Sequence, residues 1–263
     1  MTIIQHPNLP VVIDGDIATV TIDRQEAMGA FDLSMWDGLA DAMAALSEMD
    51  ELRCVIVRGA TSAAFSAGAD IKGFETERGS PEAEAIYART FNRGMQSIRL
   101  CRHPVIAAIE GVCMGGGAGI ATMCDFRVGG ESIRFGITAA KLSLWYTYAE
   151  MDPVIDLVGA GVASEIFIEA RIFNGREAYE KGLLSRLAPD NAVQEEALSL
   201  ARRIAQGAPL AARFHKRAIR KLRGPLPVSP EEEEAVGAFI LTEDFRNAVQ
   251  AFKERRKPVW QGR

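Results

Sequence analysis

Residues 11–22, VVIDGDIATVTI, alternate apolar and polar positions on either side of Asp14-Gly15-Asp16, which predicts a hairpin. Residues 24–31 read as a polar loop. The period then changes: Met35, Leu39, Met43 and Leu46 fall on one side of a helix over 33–49, with Asp32 or Ser34 as its cap. The run Cys54-Val55-Ile56-Val57 predicts a short strand buried on both faces. A loop over 59–68 follows. Residues 82–100 read as a helix capped by Ser80, with Pro81 in its first turn. Residues 105–109 are a further strand, and Gly116 opens a helix of small residues. Residues 126–128 and 133–135 are short strands. Helices follow over 163–170 and 177–182, the second closed by Gly182. Residues 183–187 are strand-like, and 191–206 and 210–222 are helical. Residues 224–230, rich in glycine and proline, read as a linker. Glu231 to Glu234 then sit where a helix N-terminus favours negative charge, ahead of a last helix over 236–253. No sequence repeat is evident. Strand-strand-helix units come first and helices after, which predicts an α/β fold with a helical C-terminal part.

Composition narrows the function. The chain has 263 residues, 48% hydrophobic and 25% charged, the balance of an ordinary globular protein. A net charge of -5 argues against a nucleic-acid surface, while leaving room for local basic clusters that meet an anionic ligand. The N-terminal stretch lacks the basic and apolar regions of a secretory signal. No charge-free apolar run is long enough to span a bilayer; residues 105–123 contain Glu110 and many glycines. A cytoplasmic protein is expected, without membrane or nucleic-acid partners. Cys54, Cys101, Cys113 and Cys124 have no CxxC spacing and read as buried reduced thiols. His6, His103 and His215 are scattered, which offers neither a metal site nor a histidine-based triad.

The chemistry-bearing features are Phe65-Ser66-Ala67-Gly68-Ala69-Asp70-Ile71-Lys72 and residues 105–128, VIAAIEGVCMGGGAGIATMCDFRV. Each reads as a strand running into a small-residue turn and a helix start, where backbone N–H groups are exposed. Two such turns face to face could hold one oxyanion between two amides. A dinucleotide fingerprint is absent, because Gly115 and Gly117 are followed by Ile120 rather than glycine, and no GK[ST] motif is present.

This pair of turns resembles the crotonase (enoyl-CoA hydratase/isomerase) superfamily. Further likeness lies in residues 24–31, against the family's R-P-x-x-x-N-A-L with Gly29 in place of asparagine. It continues in Gly175-Arg176-Glu177-Ala178, Gly182-Leu183-Leu184, Ala208-Pro209-Leu210 and the tail over 256–263. The resemblance implies a spiral of ββα units over residues 1–200 carrying an acyl-CoA site, and a C-terminal helical trimerisation region over 201–263. It also implies a homotrimer or dimer of trimers. No cofactor is implied beyond the coenzyme A of the substrate. By resemblance the oxyanion donors are the amides of Ala69 and Gly116. Substrate contacts would run through Ala27, Met28, Ala67, Gly68, Asp70, Ile71 and Lys72. Gly115, Gly119, Thr138, Ala139 and Trp145 would complete the acyl pocket, and the basic stretch 253–257 could meet CoA phosphates.

The same resemblance places Gly119 and Ala139 where hydratases of the family carry their two glutamates. Neither residue can move a proton, so standard hydration is not expected. Replacement groups are sought in residues 141–152, KLSLWYTYAEMD, where Trp145, Tyr146 and Tyr148 would form an aromatic wall. Residues 138–146 resemble the T-P-A-N-L-G-V-P-Y pattern of crotonase-type methylmalonyl-CoA decarboxylases, whose tyrosine orients the departing carboxylate. Tyr146 takes that place here, although Ala69 stands where those enzymes carry histidine. The first expectation is therefore decarboxylation of a small malonyl-type CoA thioester. The alternatives are an isomerase or lyase using Glu150 or Asp152, and a non-catalytic acyl-CoA-binding protein.

Overall fold

The computed structural model describes residues 6–224, 229–235, 239 and 241–263. The hairpin β1 (Val11–Asp14) and β2 (Ile17–Ile22) leads to α1 (Leu33–Ser47), β3 (Cys54–Gly59), β4 (Ala64–Ser66), α2 (Phe74–Glu77) and α3 (Pro81–Leu100). Next come β5 (Val105–Ile109), β6 (Val112–Met114), α4 (Gly116–Met123), β7 (Phe126–Gly130), β8 (Arg134–Gly136) and α5 (Tyr148–Phe167). The chain ends with β9 (Ile172–Phe173), α6 (Gly175–Glu180), β10 (Arg186–Ala188), α7 (Val193–Ala205), α8 (Pro209–Arg223), α9 (Pro230–Ala235) and α10 (Glu243–Lys253).

The larger sheet has the order β1-β2-β3-β5-β7-β10 and is parallel beyond its hairpin. A smaller sheet, β4-β6-β8-β9, lies beside it. Alternation between two covered faces explains why β5 and the first four residues of β3 are apolar. Val55, Val57, Val105, Ala107 and Ile109 face one core with α1, α3 and α4. Cys54, Ile56, Ile106, Ala108 and Val128 face the other, covered by Val193, Ala197, Leu200 and Ala201 of α7.

The predicted caps hold. Asp32 accepts from the Met35 amide at 2.9 Å, and Ser80 accepts from the Ala83 amide at 3.2 Å. These fix α1 and α3, which pack together through Trp36, its ring 4.3 Å from Phe31 and 4.5 Å from Phe91.

Three expectations need correction. The loop over 59–68 contains β4, too short to show a period. The helix expected over 163–170 is the last part of α5, which begins at Tyr148; Gly159, at φ 73°, interrupts it and masks its first half as loop. The strand expected at 183 starts only at Arg186, because the Leu183 amide is committed to the Ala178 carbonyl at the end of α6. The linker residues 225–228, and 236–238 and 240 of the last predicted helix, lie outside the described residues. Among the described residues that final helix is α10, capped by Thr242.

Candidate active site

The first glycine turn is built by β4 and a single bridge. Ser66 Oγ donates to the Gly29 carbonyl at 2.7 Å and accepts from the Gly68 amide at 3.1 Å. Phe31 donates its N–H to Gly68 O at 2.7 Å and accepts from the Asp70 amide at 2.8 Å. In this parallel bridge the residue between, Ala69, has its own N–H turned away from Phe31. The second turn runs from β6 through Gly115, at φ 51°, into the first turn of α4. There the Gly116 amide is one of the N–H groups that a helix start leaves unpaired. Among the described residues neither the Ala69 nor the Gly116 amide donates to a protein acceptor.

The turns are in contact. A methyl group added to Gly68 would lie 2.7 Å from the Met114 carbonyl oxygen and 2.8 Å from the Gly116 nitrogen. Ala69 and Gly116 both line one cavity of about 140 Å³, smaller than the usual 300–1,000 Å³ of ligand pockets. It has room for a short group.

The remaining wall is aromatic and acidic. Phe74 of α2, Tyr87 and Phe91 of α3, and Trp145 and Tyr146 line it, together with Arg78, Glu84 and Glu150. The Tyr146 ring packs 5.4 Å from Phe167, and burial with the neighbouring Glu150 charge pushes its phenol above the ordinary tyrosine range. Glu150 sits in the first turn of α5, where its Oε2 accepts from the Thr147 amide at 2.6 Å. Burial raises its carboxyl above the usual range, outweighing the lowering by the Thr147 hydrogen bonds and Arg78.

Other expected residues stand as follows. Ala67, Ile71, Gly115, Thr138 and Ala139 line the cavity. Gly68 sits behind the wall between the turns. Trp145 is at the rim, 91% exposed, whereas Tyr148, 92% exposed, does not line the cavity. Asp152 is also outside it, paired with Arg99 at 3.1 Å. Asp70 is tied to Arg24 at 2.8 Å and caps the Lys72 amide at 3.1 Å; Lys72 itself is exposed. Ala27 and Met28 lie in the turn whose Met28 carbonyl accepts from the Ala67 amide at 2.9 Å, bracing the first glycine turn from behind. Gly119 is buried in α4 and does not reach the cavity surface. A methyl added there would lie 2.1 Å from Met95 Cε, so the Met95 side chain occupies the space a side chain at 119 would take.

The α3 face carrying Glu84, Tyr87 and Phe91 escaped the sequence reading. Its spacing of three and four residues gives one helical stripe, but stripes of that kind usually mark core.

No cluster of His, Cys, Asp or Glu among the described residues is arranged to hold a metal. No described helix is long and apolar enough to cross a membrane. The four cysteines are free and buried.

Comparison with known proteins places this arrangement. The enoyl-CoA hydratase/isomerase family model matches residues 13–263. The chain belongs to that family. It is 30% identical over 250 residues to a short-chain-enoyl-CoA hydratase of Clostridium acetobutylicum, covering 93% of this chain and 94% of that protein. It is also 30% identical over 254 residues to the mitochondrial methylglutaconyl-CoA hydratase of Mus musculus, covering 94% and 80%. A crystal structure of an enoyl-CoA hydratase/carnithine racemase from Magnetospirillum magneticum superimposes with a TM-score of 0.95 at 39% identity, over 98% of this chain and 97% of that one. The resemblance drawn from the two glycine turns therefore holds for the family and for the mixed α/β fold of this hydratase/isomerase-family protein.

Proposed function

We propose that the cavity receives the acyl end of a CoA thioester, and that the Ala69 and Gly116 amides hold its carbonyl oxygen as charge develops there. The observation that carries this is the meeting of two unused backbone donors and one partly buried carboxyl group, Glu150, at one small cavity. Fixed donors in a site that excludes water need no reorganisation when an enolate forms, and each is worth about 3 kcal/mol. Glu150 removes a proton from the carbon next to the thioester: the C–H bond breaks, an O–H bond forms on Glu150, and the electron pair moves to the carbonyl oxygen. Return of that proton to another carbon gives isomerisation; expulsion of a β-substituent gives a lyase reaction. A raised carboxyl pKa suits both taking and returning the proton.

A second reading, decarboxylation of a malonyl-type thioester, is favoured by Tyr146 in the cavity wall and by Gly119 and Ala139, which offer no base. The breaking C–C bond would deliver its electron pair to the same carbonyl oxygen, carbon dioxide would leave, and the carbon would take a proton from Glu150 or water.

Mass spectrometry of crotonyl-, 3-butenoyl-, methylmalonyl- and ethylmalonyl-CoA incubated with the pure protein in deuterated water tests both. Isomerised 3-butenoyl-CoA carrying deuterium supports Glu150-mediated transfer. Loss of carbon dioxide with deuterium at the α-carbon supports decarboxylation. Rapid gain of water by crotonyl-CoA would overturn both in favour of hydration.

A further inference from the structure

Arg78, at the C-terminal end of α2, is the cation that lines the cavity among the described residues. Its guanidinium lies over two rings, 4.7 Å from the centre of Phe74 and 4.6 Å from that of Tyr87. Glu84 holds one edge: Nε donates at 2.5 Å and Nη2 at 2.7 Å to the two carboxylate oxygens. Stacking fixes the plane of the group and Glu84 fixes its rotation, so its remaining donors have set directions. Among the described residues Nη1 has no partner. The end-on edge of the guanidinium, Nη1 with the second N–H of Nη2, is thus an open fork of the spacing that takes a carboxylate in two parallel hydrogen bonds.

We infer that Arg78 is a specificity-determining residue that receives a carboxylate on the acyl group, making the preferred substrates CoA thioesters of short dicarboxylic acids. This rests on the acyl-CoA reading above. The charges around the fork are compatible with it. Glu84 is 44% exposed, where water screens its repulsion of a second carboxylate, while Arg78 is 20% exposed. Glu150 and the phenols of Tyr87 and Tyr146 are the other titratable groups lining the cavity beside it. Burial favours the uncharged form of each. An acyl chain ending in a methyl group would leave the fork open and gain nothing from it.

The test compares acyl-CoA pairs that differ only in a terminal carboxylate: succinyl- against butyryl-CoA, and glutaryl- against pentanoyl-CoA. Affinity is read by calorimetry on the whole protein and α-deuterium incorporation by mass spectrometry. In at least one pair the carboxylate should tighten binding about ten-fold or more. Arg78→Met should erase that difference, and Arg78→Lys, which keeps the charge and the ion pair but not the fork, should keep only part of it. Equal affinity within both pairs for the wild-type protein, a comparison that needs no variant, overturns the inference. So does a preference that survives in Arg78→Met. A carboxylate preference without deuterium incorporation leaves Arg78's role standing and counts against enolate formation. Deuterium incorporation without a preference does the reverse, and failure of all four thioesters to bind overturns both.

Discussion

Replacing Gly68 by alanine should disable the site while leaving the fold standing. Gly68 has φ 99°, a region that costs a residue with a side chain about 1–2 kcal/mol. The larger effect is steric and directional. The new methyl would sit 2.7 Å from Met114 O and 2.8 Å from Gly116 N, both backbone atoms that cannot rotate aside. The two turns must separate, and the Ala69 and Gly116 amides can no longer converge on one oxygen. Loss of one such donor costs about 3 kcal/mol of transition-state stabilisation, which is roughly a hundred-fold or more in rate. The assay is α-proton exchange of butyryl-CoA in deuterated water, run beside urea unfolding. Gly15→Ala is the control: Gly15 also has positive φ, 59°, but an added methyl there meets nothing within 4 Å. It should lower stability by about 1 kcal/mol and leave exchange unchanged. If Gly68→Ala folds and still exchanges within about three-fold of wild type, the amides of Ala69 and Gly116 are not the oxyanion donors.

Glu150→Gln should cut exchange about a hundred-fold or more, the range for a lost general acid or base. Because Glu150's pKa is raised in the folded protein, its burial costs stability only as pH rises above the ordinary carboxylate value, so urea unfolding should show Glu150→Gln gaining on wild type as pH rises from that value. His103 works in the opposite sense. Fully buried beside Arg213 and Arg102, it is pushed down from 6.5 to about 4. Stability should be full above the unfolded value and decline as pH falls from about 6.5 towards 4, by on the order of 3 kcal/mol, and His103→Gln should flatten that decline in urea titrations across the range. Gly119→Ala forces the Met95 methyl to turn aside, so Met95→Ala in that background should cost less than Met95→Ala alone; strict additivity in the double-mutant cycle would count against the packing described.

How much of this was legible in the sequence follows from the range of the forces involved. Caps and periods act within one helical turn, so Asp32, Ser80 and the helices they start could be read directly, as could the inner strands with their continuous apolar runs. The small sheet was read only in part: β8 lies within one residue of the strand expected at 133–135, but β9 has two residues and exists because a neighbour in space supplies its partner. The site divides along the same line. Its amides belong to local turns whose glycines announce themselves, which is why Ala69 and Gly116, both lining the cavity, could be picked out as candidates. The charges that distinguish this cavity do not. Glu150 was reached only as one of two candidates, beside Asp152, and nothing at their own positions marks Arg78 and Glu84. They become a group only because α2, α3 and α5 meet at one cavity, which brings positions 78, 84 and 150 together from separate parts of the chain. Met95 makes the point most sharply. At position 119 the sequence displays only a glycine, yet the space there is already filled by a thioether from another helix. Any side chain at 119 would first have to turn the Met95 thioether aside, so what position 119 can hold depends on a position that no reading of its own segment reveals.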